Sequence, residues 1–296
     1  MDKKSNTLDI WKILLFLISF KRWLIITLPI LLGSSLAFNM TGNIKLYWLL
    51  LFLIGIFSIE IGTKSINILL NLENNADKFS FRSKKDINQI KLFAIFPLLF
   101  GGLIGLYIAL YYEPLIFWVG IPAIILGLLY YTPSFKENIY DLKEITAGII
   151  LGPLTVIGSF LIQTSSFSAL SLLISIPPGL LIAITNWLDK FVNNNKYFKD
   201  NLRPSTKFKN KNGNKIYIFL FSTCYTTLAL IFVVFTSLFW LLPFITLPLA
   251  IKSVKTVFND YNSNKKIMEI KTNTIKIYHL VTVMMIFALI LEKLFR

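Results

Sequence analysis

The sequence predicts an all-α, multi-pass membrane protein, and three observations carry that class. Hydrophobic residues fill 55% of the 296 positions and charged residues only 15%, where a soluble domain carries roughly a quarter charged. The apolar residues gather into runs of about 20, the length that crosses a hydrocarbon core of ~30 Å as a helix. The net charge of +15 collects between those runs. In this setting it marks basic loops on the cytoplasmic side, not a nucleic-acid partner. The single cysteine, Cys224, excludes an internal disulfide and a Cys-rich metal site. The single histidine, His279, excludes a poly-His metal centre.

The elements follow in order. Residues 8–20 are apolar but too short to span, and read as an interfacial helix leading into the first crossing. Nine spans are expected, at 23–38, 46–71, 90–112, 115–133, 143–163, 168–189, 215–235, 237–252 and 274–292. The start, Met1 to Asp9, is polar and has no small-residue cleavage motif, so no cleavable leader is expected. No soluble domain or low-complexity linker interrupts the spans, and residues 1–296 read as one transmembrane domain.

The loops after spans 2, 4, 6 and 8 are long and polar, and those after spans 1, 3, 5 and 7 are short. With the amino terminus and the long loops on one side, all but three of the 30 Lys and Arg lie there; Lys45, Lys293 and Arg296 fall opposite. The positive-inside rule makes that side cytoplasmic, and an odd number of spans puts the carboxyl terminus outside. Gly101-x-x-x-Gly105 and Gly148-x-x-x-Gly152 allow close helix approach, with ordinary intrachain packing as the expected use. Pro177-Pro178-Gly179 is expected to open the helix that ends at Asp189.

Function is written in the polar residues at two span ends. Asn67, Asn71 and Asp77 close the second span; Asn186, Asp189 and Asn193 close the sixth. Both ends exit on the side read as cytoplasmic. A carboxylate near hydrocarbon costs several kcal/mol unless it is paired or holds a metal. Asn67 and Asn71 are four apart and share a helix face, and so do Asn186, Asp189 and Asn193. Oxygen ligands from two helices suit Mg²⁺, whose octahedron is completed by water and substrate phosphates. Lys78, Arg82, Lys84 and Lys85 trail the first cluster; Lys190, Lys196, Lys199 and Arg203 trail the second. Carboxylates ringed by cations suggest a diphosphate held by metal and basic side chains. The rest of such a substrate must be greasy.

The order of these landmarks resembles the UbiA-type intramembrane prenyltransferases, and within them the 1,4-dihydroxy-2-naphthoate polyprenyltransferases of menaquinone biosynthesis. The resemblance runs from about residue 20 to 200. Pro29-Ile-Leu-Leu-Gly33 is similar to the Pro-x-x-x-Gly of the family's first helix. Asn67 to Asp77 lies over its first Asp-rich motif. Gly127-Leu-Leu-Tyr130-Tyr131-Thr132-Pro133 and Lys136 resemble its Gly-x-x-Tyr-Thr-x-Pro-Pro-x-Lys segment. Leu142-Lys143-Glu144, Gly158 and Gln163-Thr164 resemble further landmarks, and Asn186-Trp187-Leu188-Asp189 resembles the opening of its second motif. The chain departs from the pattern. Ile68 and Asn71 stand where Asp residues are expected, Asn193 stands for another, and a Lys- and Asn-rich stretch, 194–214, replaces the Gly-Lys-x-Thr tail.

The resemblance implies about nine transmembrane helices around a central cavity, with Mg²⁺ as cofactor. It implies transfer of a polyprenyl group from a polyprenyl diphosphate to an aromatic acceptor inside the membrane, among membrane lipids. It assigns Asp77 and Asp189 as the catalytic carboxylates and Asn67, Asn71, Asp77, Asp189 and Asn193 as the metal ligands. Lys64, Arg82 and Lys136 would contact the diphosphate; Tyr131, Gln163 and Asn186 would line the acceptor cavity. Glu60, four residues before Lys64, offers that lysine a plain structural ion pair. The second reading is a degenerate, non-catalytic relative that binds a prenyl lipid or assembles with a partner. A secondary transporter would show inverted halves and interrupted helices at mid-membrane, which the sequence does not contain.

Overall fold

The structure is a computed structural model that describes residues 20–74, 84–131, 142–193, 213–259 and 264–295. Among the described residues every regular element is helical. The chain runs through α1 (Phe20–Thr41), α2 (Leu46–Asn74), α3 (Lys84–Tyr111) and α4 (Ile116–Tyr131). A composite span follows: α5 (Leu142–Ile149), a π turn (Ile150–Leu154) and α6 (Thr155–Thr164). Then come α7 (Ala169–Asn193), α8 (Gly213–Phe235), a 3-10 segment (Leu238–Thr246) continued by α9 (Leu247–Asn259), and α10 (Asn264–Leu294). Eight of the resulting rods are long and apolar enough to cross a membrane. The ninth expected span is present as α4, whose 16 residues reach about 24 Å as an α-helix. The interfacial helix expected at 8–20 falls almost wholly outside the described residues.

Two compact units form. The first holds residues 1–27 and 45–116, and the second residues 28–44 and 117–296. In the first, α2 and α3 make an antiparallel hairpin. Lipid tails are as apolar as leucine, so such helices associate through close packing rather than hydrophobic expulsion. Glycine supplies the closeness. A Cβ on Gly101 would lie 2.7 Å from the Gly55 carbonyl oxygen, and one on Gly62 would lie 2.9 Å from that of Ala94. Gly105 has nothing within 4 Å of its Cβ position, so only the first glycine of that pair is used. At one end of the hairpin Trp48 stacks on Tyr112 at 3.8 Å, and the Lys45 ammonium sits 5.3 Å from the same ring. Aromatic rings of this kind sit where membrane meets water.

In the second unit α7 is central. It packs against α5, α8 and α10. Gly148 faces the Gly179 carbonyl oxygen and the Ala183 methyl, and Gly152 meets the Cα of Gly179. The Gly148-x-x-x-Gly152 pair is therefore intrachain packing. The helix does not open at Pro177-Pro178, contrary to the expectation from sequence: α7 runs unbroken from Ala169 to Asn193. The Cys224 thiol of the neighbouring α8 donates to the Pro177 oxygen at 3.9 Å. The irregularity sits instead in the facing rod, at the π turn containing Pro153, where Thr155 Oγ1 donates to the Ile150 oxygen at 2.7 Å. Ser159 ties α6 to α1 by donating to the Ile30 oxygen at 2.6 Å and meeting Ser34 at 2.8 Å.

Two further elements differ from the spans read in sequence. The crossing expected at 237–252 extends to Asn259, and its first nine residues are 3-10 helix. At ~2.0 Å per residue they reach about 18 Å, which lets a short apolar stretch cover more depth. The last helix begins at Asn264 rather than 274. Its first turns are polar because they extend past the apolar zone while remaining packed on the bundle.

Candidate functional site

Asp189 lies in the penultimate turn of α7, on the same helix face as Asn186. Between them Trp187 and Leu188 are buried, which anchors the helix end to the bundle. α10 presents Ile267, Ile270, Thr274, Ile277 and Tyr278 as its buried stripe. Lys271 belongs to that stripe by helical spacing, four residues after Ile267 and seven before Tyr278. Its ammonium is ion-paired to Asp189 Oδ1. The aspartate side chain is 34% exposed and the lysine 19% exposed, so the pair sits at the rim of the bundle. Oδ1 is enclosed, with the ammonium against it.

Below the pair the polar groups close on themselves. Thr274 Oγ1 donates to the Ile270 oxygen at 2.9 Å and meets Tyr217 Oη at 3.1 Å. Thr185 Oγ1 donates to the Leu181 oxygen at 2.8 Å. Deeper still, Leu181, Ile184, Ile231, Ile277 and Val281 are fully buried. Asp189 therefore stands at the border between a polar layer and an apolar interior. Glu144, in the first turn of α5, is a buried carboxylate at this end. It lies one turn before Gly148, which packs on α7.

Of the other residues expected from sequence, Asn67 and Asn71 lie in the last two turns of α2, Asn193 is the last residue of α7 and Tyr131 the last of α4; only their backbone is described. Asp77, Arg82 and Lys136 lie outside the described residues. Lys64 is buried in α2, with its ammonium 4.0 Å from Glu60 Oε1, the structural pair that the spacing offered. Gln163 is buried in the last turn of α6. That is the opposite end of the α5–α7 hairpin from Asp189, about 28 Å of helix beyond Glu144. Lys271 had no part in the reading from sequence. Its one signal was its register with the apolar stripe of the last helix.

A model of the UbiA prenyltransferase family matches residues 26–280. The chain belongs to the UbiA prenyltransferase family. No curated protein matches it. Membership makes it a membrane prenyltransferase in the general sense, with eight described rods suited to a bilayer. UbiA-family prenyltransferases generally use Mg²⁺. Among the described residues no three His, Cys, Asp or Glu side chains come together. Of the expected ligands, the one whose side chain is described is the Asp189 carboxylate, a hard oxygen ligand of the kind Mg²⁺ takes. Its chemistry fits the ion.

Proposed function

We propose that the chain transfers a polyprenyl group from a prenyl diphosphate to an aromatic acceptor within the membrane, in quinone or prenyl-lipid biosynthesis. The observation that best supports this reading is the Asp189–Lys271 pair at the border of an apolar interior. A carboxylate and an ammonium side by side suit a metal-bound diphosphate, since one attracts the cation and the other the anion. Asp77 and Asp189 are the proposed metal-holding carboxylates, with Asn67, Asn71 and Asn193 as amide ligands; this assignment rests on their motif positions in the sequence. Arg82, Lys136 and Lys64 are the proposed diphosphate contacts. Tyr131 and Asn186 are proposed for the acceptor side; Gln163, at the opposite end of the α5–α7 hairpin, is not carried into that site.

When bound, Mg²⁺ supplies Lewis-acid stabilisation of the departing diphosphate. The protein's own residues do the rest. Asp189 holds its place because Trp187 and Leu188 fix the helix end and Lys271 pairs with the carboxylate. Lys271 also offers positive charge to the leaving group. As the C–O bond to diphosphate breaks, the prenyl group gains allylic cation character, the acceptor ring carbon bonds to it, and the ring then loses its proton to the released diphosphate or to water. Exclusion of water from the reacting groups protects that cation from interception.

The non-catalytic alternative draws on the Asn residues at motif positions, and family membership gives it no support. The test is direct. Purified protein is incubated with Mg²⁺, a labelled polyprenyl diphosphate and a panel of aromatic acceptors. Mg²⁺-dependent appearance of a prenylated ring is the expected result. Absence of transfer to every acceptor, with intact protein and bound prenyl diphosphate, would support the lipid-binding alternative instead.

A further inference from the structure

A second charged feature lies on the far side of α10. The helix positions of Lys266 and Glu269 are turned about 140–160° from that of Lys271 at 100° per residue, so they face away from Asp189. Between this face and α9 opens a cleft of about 500 Å³, lined by Lys252, Lys255, Thr256, Lys266, Glu269 and Ile251. Three ammonium groups face one carboxylate. Lys252 reaches across the cleft to Glu269, 3.9 Å away, and both remain about half exposed or more. We propose that this cleft binds the headgroup of an anionic phospholipid.

Depth and shape carry the assignment. Counting the 3-10 rise and then the α rise from Leu238, Lys252 stands about 27 Å along its rod. On α10, Glu269 stands about 38 Å and Lys266 about 42 Å from Leu294. The hydrocarbon core is ~30 Å thick and the headgroup zones extend it to ~40–45 Å overall. The cleft thus lies near the membrane–water boundary, from which long lysine side chains reach the lipid phosphates. Below it Ile251, Ile245, Leu241 and Leu238 are exposed along the same rod and give acyl chains an apolar lane. Basic pockets between helices at this level suit a negatively charged headgroup. Glu269 works against the ligand's charge and sets the affinity below what three lysines alone would give. This site is independent of the transferase reading.

The test uses the full chain in neutral detergent. Its melting temperature is measured with added phosphatidylglycerol, phosphatidylcholine or inorganic phosphate, and retained lipid is counted by native mass spectrometry. Phosphatidylglycerol is expected to raise the melting temperature by about 3 °C or more, through selective binding to the folded state, and the other two not. Lys252→Gln/Lys255→Gln/Lys266→Gln should abolish that rise and the retained lipid. Glu269→Gln should enlarge both. An undiminished rise in the triple variant overturns the proposal, as does an equal effect of phosphatidylcholine. An equal effect of inorganic phosphate assigns the cleft to a soluble anion and also overturns it. Should the triple variant fail to fold, Glu269→Gln decides alone, and an unchanged or smaller rise refutes the headgroup site.

Discussion

Lys271 of α10 neutralises Asp189 of α7 across the rim of the bundle. The two partners do not depend on each other equally. A lysine left alone can extend its long stem toward water, whereas a short aspartate cannot. Lys271→Met should therefore lower stability more than Asp189→Asn. Because the pair is partly exposed, the expected costs are only about 1–2 and below about 1 kcal/mol, well under those of a fully buried pair. The double variant should recover part of the loss. A thermal double-mutant cycle measures this, and strictly additive losses would show that the contact contributes nothing.

Asp189 and Asp77 are expected to be indispensable to transfer. Asp189→Ala and Asp77→Ala should each lower Mg²⁺-dependent turnover by at least about a hundredfold, the scale of losing one preorganised charge contact. The folded protein should persist in detergent, as judged by its elution volume and helical circular dichroism. Full activity in both variants would remove the two carboxylates from the mechanism.

The amides at motif positions give a test with opposite signs. If Asn71 and Asn193 face the metal, Asn71→Asp with Asn193→Asp adds two anionic ligands. The Mg²⁺ concentration for half-maximal activity should then fall, and added Mg²⁺ should raise the melting temperature more than in the parent. Without a metal there, the new charges only repel their neighbours and cost desolvation. A loss of stability that Mg²⁺ does not relieve would exclude the metal site.

Glycine substitutions should separate used from unused close approaches. Gly148→Ala and Gly152→Ala drive a methyl into the Gly179 backbone, and should cost about 1–3 kcal/mol each through forced repacking. Gly105→Ala meets nothing within 4 Å and should be neutral, or gain up to about 1 kcal/mol from helix propensity. Melting temperatures of the three variants check the ranking.

The charge asymmetry of the loops predicts orientation. A reporter fused after Asn210 should read cytoplasmic, and one fused at Arg296 should read external. The reverse pattern would overturn the proposed topology.

Long apolar runs made most of the crossings legible, because hydrocarbon admits few backbone solutions and the helix is the simplest. What escaped was irregular or distant. The 3-10 geometry of Leu238–Thr246 has no compositional mark that distinguishes it from α-helix. Pro177-Pro178 pointed to a break that α7 does not show, while the π turn arose around the less conspicuous Pro153. Lys265, Lys266 and Lys271 made the start of α10 look like loop. Asp189 was visible as a carboxylate at a span end. Its partner was not, since an ion pair between remote helices leaves no period in the sequence.

The contact of Gly148 and Gly152 with Gly179 acts as a keyway. Side chains can swing to new rotamers, but backbone pressed on backbone has nowhere to yield. Sliding α7 by one helical turn, about 5.4 Å, would push Ser175 or Ala183 into the slot that only a glycine fills. The helix that carries Asp189 is thus locked in axial register. The same contact fixes the depth at which that carboxylate stands.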